Sequence, residues 1–452
     1  MRFALRRFRG GPVKCVVIVT AGPGDELYAL DAQDSVREAS AASRGPFAEI
    51  VHIAIDDRAG EFEPARARNK GVELAHRVDA DWIFFLAARD VLDVDAFASV
   101  ADKVGDYDAI WGSIHALADD EAGGVARAGQ LLEIRRIDDV LANDPLTTLQ
   151  AGHFVKTAVA RATPFDAALQ AGTDFDYFLR LWKKYRCIKI SEPLYYERGD
   201  GSRGDVRGFT AEARRAAAEQ VICATCVALD FRAEFKYRGE NFRFSVANPF
   251  DLIHGSLLKG RFFELRELTF IEDWVGSGAA IVEVGAYVGN HVVYYARFMQ
   301  PRTIVVLEPN PDAIALLRRN LEMNGVRTAD LSLLGAGVGA GAGNYALVRE
   351  GSANGGATRL VPSETGAVKS MALDDVIPGK VDFIKIDVEG MELEVLAGAA
   401  RMIAESRPKI MIEVFRAQTA RFEKWLHEQR YRITHQFDYV HAVNYLIEPA
   451  RA

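Results

Sequence analysis

Hydrophobic and polar positions fall into two regions, each alternating strand-like and helix-like patterns. In the first, β-branched runs at Val13 to Thr20, Ile50 to Ile55 and Trp82 to Leu86 are separated by amphipathic stretches such as Ala65 to Val78. Unbroken apolar runs of this kind read as strands buried on both faces, and the strand–helix alternation predicts a mostly parallel sheet covered by helices. The pattern ends near Tyr195-Tyr196-Glu197-Arg198, and the stretch Gly199 to Gly204 reads as a linker, which bounds a first domain at 1–204. A helix is expected from about Thr210 to Leu229, capped by Thr210, within a connector at 205–234.

The second region, 235–452, opens with polar–apolar alternation from Phe235 to Val246 around Arg238-Gly239-Glu240-Asn241, a β-hairpin signal. Strands are then expected at Ala280 to Val284, Thr303 to Leu307, Leu331 to Leu334, Val381 to Ile386 and Lys409 to Glu413. Helices are expected between them at Asn290 to Phe298, Pro311 to Met323 and Met391 to Ile403. This is the order of a doubly wound αβ domain, so the fold class is α/β with two domains.

Length and composition agree with that division. The chain has 452 residues, against roughly 150 per domain. At 49% hydrophobic and 26% charged it can build real cores and is not a disordered chain. A net charge of -8 gives no general attraction for nucleic acid. Four cysteines make no secreted disulfide framework, which points to a reducing, cytoplasmic setting, and Cys223 and Cys226 read as core packing. The cluster Arg2, Arg6, Arg7 and Arg9 before Cys15 to Thr20 imitates a signal peptide, but the apolar run is too short, and no run is long enough to span a membrane. A homo-oligomer is compatible with the sequence, which does not determine the oligomeric state.

The chemistry concentrates after the strand at Ala280 to Val284. Gly285 and Gly289 follow it with three residues between them, and Glu283 precedes them. A dinucleotide site prefers the tighter G-x-G-x-x-G turn with a pyrophosphate on the helix N-terminus. Here the carboxylate beside the turn repels phosphate and suits an ammonium, which favours S-adenosylmethionine. Glu308 ends the next strand about 20 residues on, where a carboxylate can accept both ribose hydroxyl protons. Lys385, on a central strand, requires a buried partner, and Asp387 on the same face is the nearest. Asp387 and Glu389 then emerge at the ligand end of the sheet, where either can take a proton from an acceptor hydroxyl. Glu389 and Glu392 can equally complement the following helix dipole. His291 is either a base or a packed imidazole.

These residues resemble the FkbM family of S-adenosylmethionine-dependent methyltransferases over roughly 235–448. The resemblance rests on Glu283-Val-Gly-Ala-Tyr-Val-Gly-Asn-His291, Glu308-Pro-Asn310, Asn354-Gly355, Leu373-Asp-Asp375 and Asp382-Phe-Ile-Lys-Ile-Asp-Val-Glu-Gly-Met-Glu392. It implies O-methyl transfer, commonly to a hydroxyl of a sugar or glycosylated product, and cofactor contacts that include Tyr287, Asn290 and Asn310.

The first domain resembles family 2 glycosyltransferases of the GT-A fold over about 13–198. The carriers are Ile55-Asp-Asp-Arg58, Ala67-Arg-Asn-Lys-Gly71, Asp81-Trp-Ile-Phe-Phe-Leu-Ala-Ala-Arg-Asp90 and Thr173 to Leu181. The resemblance implies a nucleotide-sugar donor with Asp57 facing its base and Asp174 as catalytic base. Where such enzymes hold a metal through Asp-x-Asp, this chain has Ala87-Ala88-Arg89. No metal is therefore expected. Arg89 either meets the diphosphate directly, or is a surface charge, or pairs with Asp90. The domain is then a transferase without the metal, or a module that holds a carbohydrate acceptor.

Overall fold

The computed structural model describes residues 12–58, 64–117, 124–169, 171–198, 210–349 and 358–450. Arg2 to Arg9, Gly199 to Gly204 and Asn354-Gly355 lie outside them. The chain divides into two compact units, Met1–Phe231 and Arg232–Ala452.

The first unit has β1 (Lys14–Ala21), β2 (Glu49–Asp56), β3 (Trp82–Ala87), β4 (Val91–Leu92), β5 (Ala109–Ala116), β6 (Val125–Ala126), β7 (His153–Lys156) and β8 (Cys187–Glu197). The sheet order is β2-β1-β3-β7-β5-β8-β4, with β6 beside β5. β1 pairs in parallel with β2 and β3, whereas β7 runs antiparallel to both β3 and β5. Side chains of β1 alternate between two cores. Cys15, Val17 and Val19 pack with Val36 of α1 (Ala29–Ala42), and Val16 and Ile18 pack with Val72 of α2 (Pro64–Arg77). The two-faced burial explains the unbroken apolar run.

Helix α4 (Ala211–Ala228) starts where Thr210 Oγ1 accepts the Ala213 N–H at 3.1 Å. It lies against α3 (Thr173–Lys184), where Thr225 Oγ1 donates to Asp176 Oδ1 at 3.3 Å. Ile222 and Cys226 are wholly buried, so this helix is a working part of the first unit's core.

The second unit opens with the hairpin β9 (Arg232–Tyr237) and β10 (Glu240–Ser245), turned by Arg238 and Gly239 at φ 48° and 87°. A seven-stranded sheet follows: β11 (Ala280–Val284), β12 (Thr303–Leu307), β13 (Ala329–Asp330), β18 (Phe383–Ile386), β19 (Lys409–Phe415), β20 (Tyr431–Asp438) and β21 (Ala442–Pro449). Its order is β13-β12-β11-β18-β19-β21-β20, and its last two strands form an antiparallel hairpin. The remaining strands, β14 (Gly337–Val338), β15 (Gly343–Arg349), β16 (Thr358–Pro362) and β17 (Val368–Met371), make a separate four-stranded sheet. The chain builds outward from β11 to β13 and returns beside β11 at β18. That reversal puts a topological switch point at the carboxyl ends of the two strands, the ligand position of open αβ sheets.

Three expected elements differ. Leu331 to Leu334 is a turn after the two-residue β13. The helix expected over Asn290 to Phe298 is α-helical only through Tyr294, as α7 (Asn290–Tyr294), and continues as a π turn at Tyr295–Met299. The helix expected over Met391 to Ile403 is split into α9 (Glu392–Gly398) and α10 (Ala400–Ser406). At the break Gly398 lies so close to Gly339 that a Cβ would sit 2.0 Å from its carbonyl oxygen.

Candidate active site

At the end of β11 the chain turns sharply through Gly285, φ 83°. A Cβ there would lie 1.8 Å from Asp387 O, so glycine lets the loops after β11 and β18 touch. The turn continues through Tyr287 and Gly289 at φ 46° and 81°. The Tyr287 N–H donates to Glu308 Oε2 at 2.7 Å, and the Asn310 N–H donates to Glu308 Oε1 at 2.9 Å. Each carboxylate oxygen is thus fixed by one amide and keeps further acceptor capacity. Burial raises the Glu308 pKa, and the two amides pull it back in part. Asn310 caps α8 (Pro311–Met323) by accepting the Asp312 N–H at 3.1 Å.

Beneath this turn is a buried charge network. Lys385 is 2% exposed, and its Nζ lies 2.9 Å from Asp387 Oδ2, 3.3 Å from Gly285 O and 4.0 Å from Glu283 Oε1. Burial opposes its charge, but the carboxylates around it keep the ammonium protonated. His291 Nε2 lies 3.0 Å from Glu264 Oε2 and its Nδ1 3.5 Å from Glu283 Oε1. Burial and Lys385 push the imidazole down, yet the two carboxylates prevail and lift it to about 9.

These contacts bear on three expectations. His291 has each ring nitrogen facing a carboxylate, which favours its protonated form and a role in packing. Glu283 is 0% exposed and faces His291 and Lys385 instead of a ligand ammonium. Asn290 spends its amide on the Phe263 backbone, accepting from N–H at 3.0 Å and donating to the carbonyl at 3.1 Å.

Above Lys385, Asp387 meets Glu389 and Glu413, with one oxygen of each within 4.8 Å of the others. The Asp387 charge, then burial, pushes Glu413 up to about 10. Burial raises Asp387 too, but Lys385 and Glu413 hold it below the ordinary range. One proton therefore rests mainly on Glu413 and is shared toward an ionised Asp387. Glu389 holds a left-handed conformation, φ 54°. Glu392, pushed up to about 7 by burial, steadies this loop by accepting the Gly390 N–H at 2.9 Å and the Val388 N–H at 3.3 Å.

Residues 283–433 match the methyltransferase FkbM domain. The second unit therefore carries an FkbM methyltransferase domain. Among solved structures, methyltransferase FkbM from Methylobacillus flagellatus KT is 22% identical at TM-score 0.28, over 37% of this chain and 43% of that one. S. aureus TarS 1-349 is 13% identical at TM-score 0.33, over 47% and 64%. M. jannaschii TYW2 in complex with AdoMet is 12% identical at TM-score 0.29, over 48% and 86%. The match thus spans less than half of the M. flagellatus chain. No curated protein matches this chain.

Two residues of the FkbM unit's network escaped the sequence reading. Glu264, just before α6 (Leu265–Val275), adopts φ 53°, accepts from Asn444 Nδ2 at 2.7 Å and faces His291. Nothing local in sequence announces that role. Glu413 lies in β19 beside β18, so its place on the ligand side of the sheet was the available signal.

Outside the FkbM domain, the candidate residues of the first unit are occupied by neighbours. Asp57 follows β2, 8% exposed, with its N–H on Ala21 O at 2.8 Å. Arg89 pairs with Asp25 and lies over the Tyr28 ring at 5.5 Å. Asp174, in the first turn of α3, pairs with Arg68, whose guanidinium lies over Phe165 at 5.2 Å.

Proposed function

We propose that this chain is an S-adenosylmethionine-dependent O-methyltransferase acting on a hydroxyl of a sugar or glycosylated product. The observation that carries the reading is the reversal of strand order between β11 and β18, whose carboxyl ends lie within the residues that match the FkbM domain. The donor set there fits the cofactor: Glu308 is anchored by two amides and still able to accept a ribose diol. When bound, S-adenosylmethionine supplies an electrophilic methyl group. The chain's own residues orient the acceptor hydroxyl and accept its proton. Asp387, its pKa lowered by Lys385 and Glu413, serves to orient; Glu389, which also lines a cavity, takes the proton. Gly285, Gly289, the Tyr287 amide and Asn310 shape the cofactor side.

For the first unit we propose a GT-A-like module that holds the glycosylated acceptor. The ion pairs of Arg68 with Asp174 and of Arg89 with Asp25 support holding over transfer, because both candidate reactive groups are already neutralised. A single titration tests the main reading. Glu308→Ala should weaken S-adenosylmethionine binding by about 2–3 kcal/mol in calorimetry, since a charged acceptor is lost. Unchanged affinity would remove Glu308 from the site.

A further inference from the structure

Glu389 faces two environments. On one side it belongs to the carboxylate trio; on the other it lines a cavity of about 260 Å³. Residues of β16 and the end of β19 also line that cavity. Phe415, Met391 and Leu360 supply apolar surface, and Arg359 supplies a cation. Gln418 Nε2 donates to Gly390 O at 2.9 Å, which ties the loop carrying Glu389 to this wall. Gly390, at φ 105°, runs close under Phe415: a Cβ there would lie 3.3 Å from the ring. A substituent at this position would narrow the space beside the ring.

We propose that this cavity receives the acceptor, and that the acceptor is a ring bearing both a hydroxyl and an oxyanion, such as a carboxylate-substituted sugar. The inference rests on the methyltransferase reading and adds the substrate class. The cavity has room for about one ring. An apolar C–H face lies on Phe415, as sugar rings and aromatic faces pack. Electrostatics then fixes the direction. The trio repels a ligand anion from Glu389, while Arg359 attracts it with the planar donor geometry that carboxylates match. The guanidinium carries five N–H donors, enough for a protein neighbour and a ligand carboxylate together. With the anion held at Arg359, the ring presents a hydroxyl to Glu389. The base takes that proton as the oxygen–methyl bond forms and the carbon–sulfur bond breaks, leaving neutral S-adenosylhomocysteine.

The test uses the full chain saturated with S-adenosylhomocysteine, whose own binding is measured first. p-Nitrophenyl β-glucuronide and p-nitrophenyl β-glucoside are then titrated by calorimetry; they differ only in the carboxylate. The glucuronide should bind at least ten-fold more tightly, Arg359→Gln should abolish that preference, and Phe415→Ala should weaken both ligands. Equal affinities, a preference that survives in Arg359→Gln, or no binding of either glycoside at millimolar concentration overturns the proposal. Failure to bind S-adenosylhomocysteine would instead overturn the methyltransferase reading on which it rests.

Discussion

Asp387 and Glu389 stand two residues apart and face different tasks, because one pairs with the Lys385 ammonium and the other lines a cavity. Glu389→Gln should lower kcat by about 10²-fold or more while leaving S-adenosylmethionine affinity within two-fold. A KM effect with unchanged kcat would show that Glu389 only binds. His291 provides a pH signature. Its folded pKa, about 9, exceeds the ordinary 6.5, so the folded protein binds its proton more tightly. Its stabilisation is complete below pH 6.5, falls as pH rises, and is gone above pH 9. The full effect is about 3 kcal/mol. Glu392, raised to about 7, gives the same sign at lower pH, between 4.5 and 7. Melting curves at pH 6 and 9.5 should therefore show a loss of Tm in the native chain, and His291→Gln should flatten that difference. An equal slope in the variant would show that the imidazole is not the group that titrates.

Strand β18 owes its position to an exception. The other residues of Phe383–Ile386 are apolar and wholly buried, and Lys385 is tolerated there only because Asp387, Glu283 and Gly285 O surround it. Lys385→Ala should cost about 3–5 kcal/mol, since it strands buried carboxylates. A variant melting like the native chain would contradict this. That lysine was legible in sequence because its environment, a strand in a parallel sheet, is itself a periodic signal. The same holds for β11, β12 and α8, whose bounds match the apolar runs and, for α8, the Asn310-Pro311 start. Elements defined by tertiary contact were not legible. The break between α9 and α10 exists because Gly398 meets Gly339, far away in sequence. Glu264 likewise joins the site only once α6, α7 and β21 are assembled around it.

Across the molecule, two αβ units of similar size carry unequal chemistry. The second gathers buried ionisable groups around the ends of β11 and β18, whereas Asp174 and Arg89 of the first are each held in an ion pair. Uridine, guanosine and thymidine diphosphate sugars should therefore show no calorimetric binding, with or without Mn²⁺. Binding abolished by Arg89→Ala would instead give the first unit a donor site, and strict Mn²⁺ dependence would require ligands outside the Ala87-Ala88-Arg89 turn. The resemblance of the first region to glycosyltransferases rests on short segments, and the pairs Arg68–Asp174 and Arg89–Asp25 join residues far apart in sequence, where spacing offers no guide.

Glu264, Tyr287 and Glu389 all hold left-handed backbone without being glycine. Each conformation costs on the order of 1 kcal/mol, and all three belong to the candidate active site. A laboratory selection for thermal tolerance alone would therefore favour glycine or asparagine at these positions. The survivors would melt later and turn over more slowly, because what selection relaxed was the backbone that aims Glu389 and sets the Glu308 anchor.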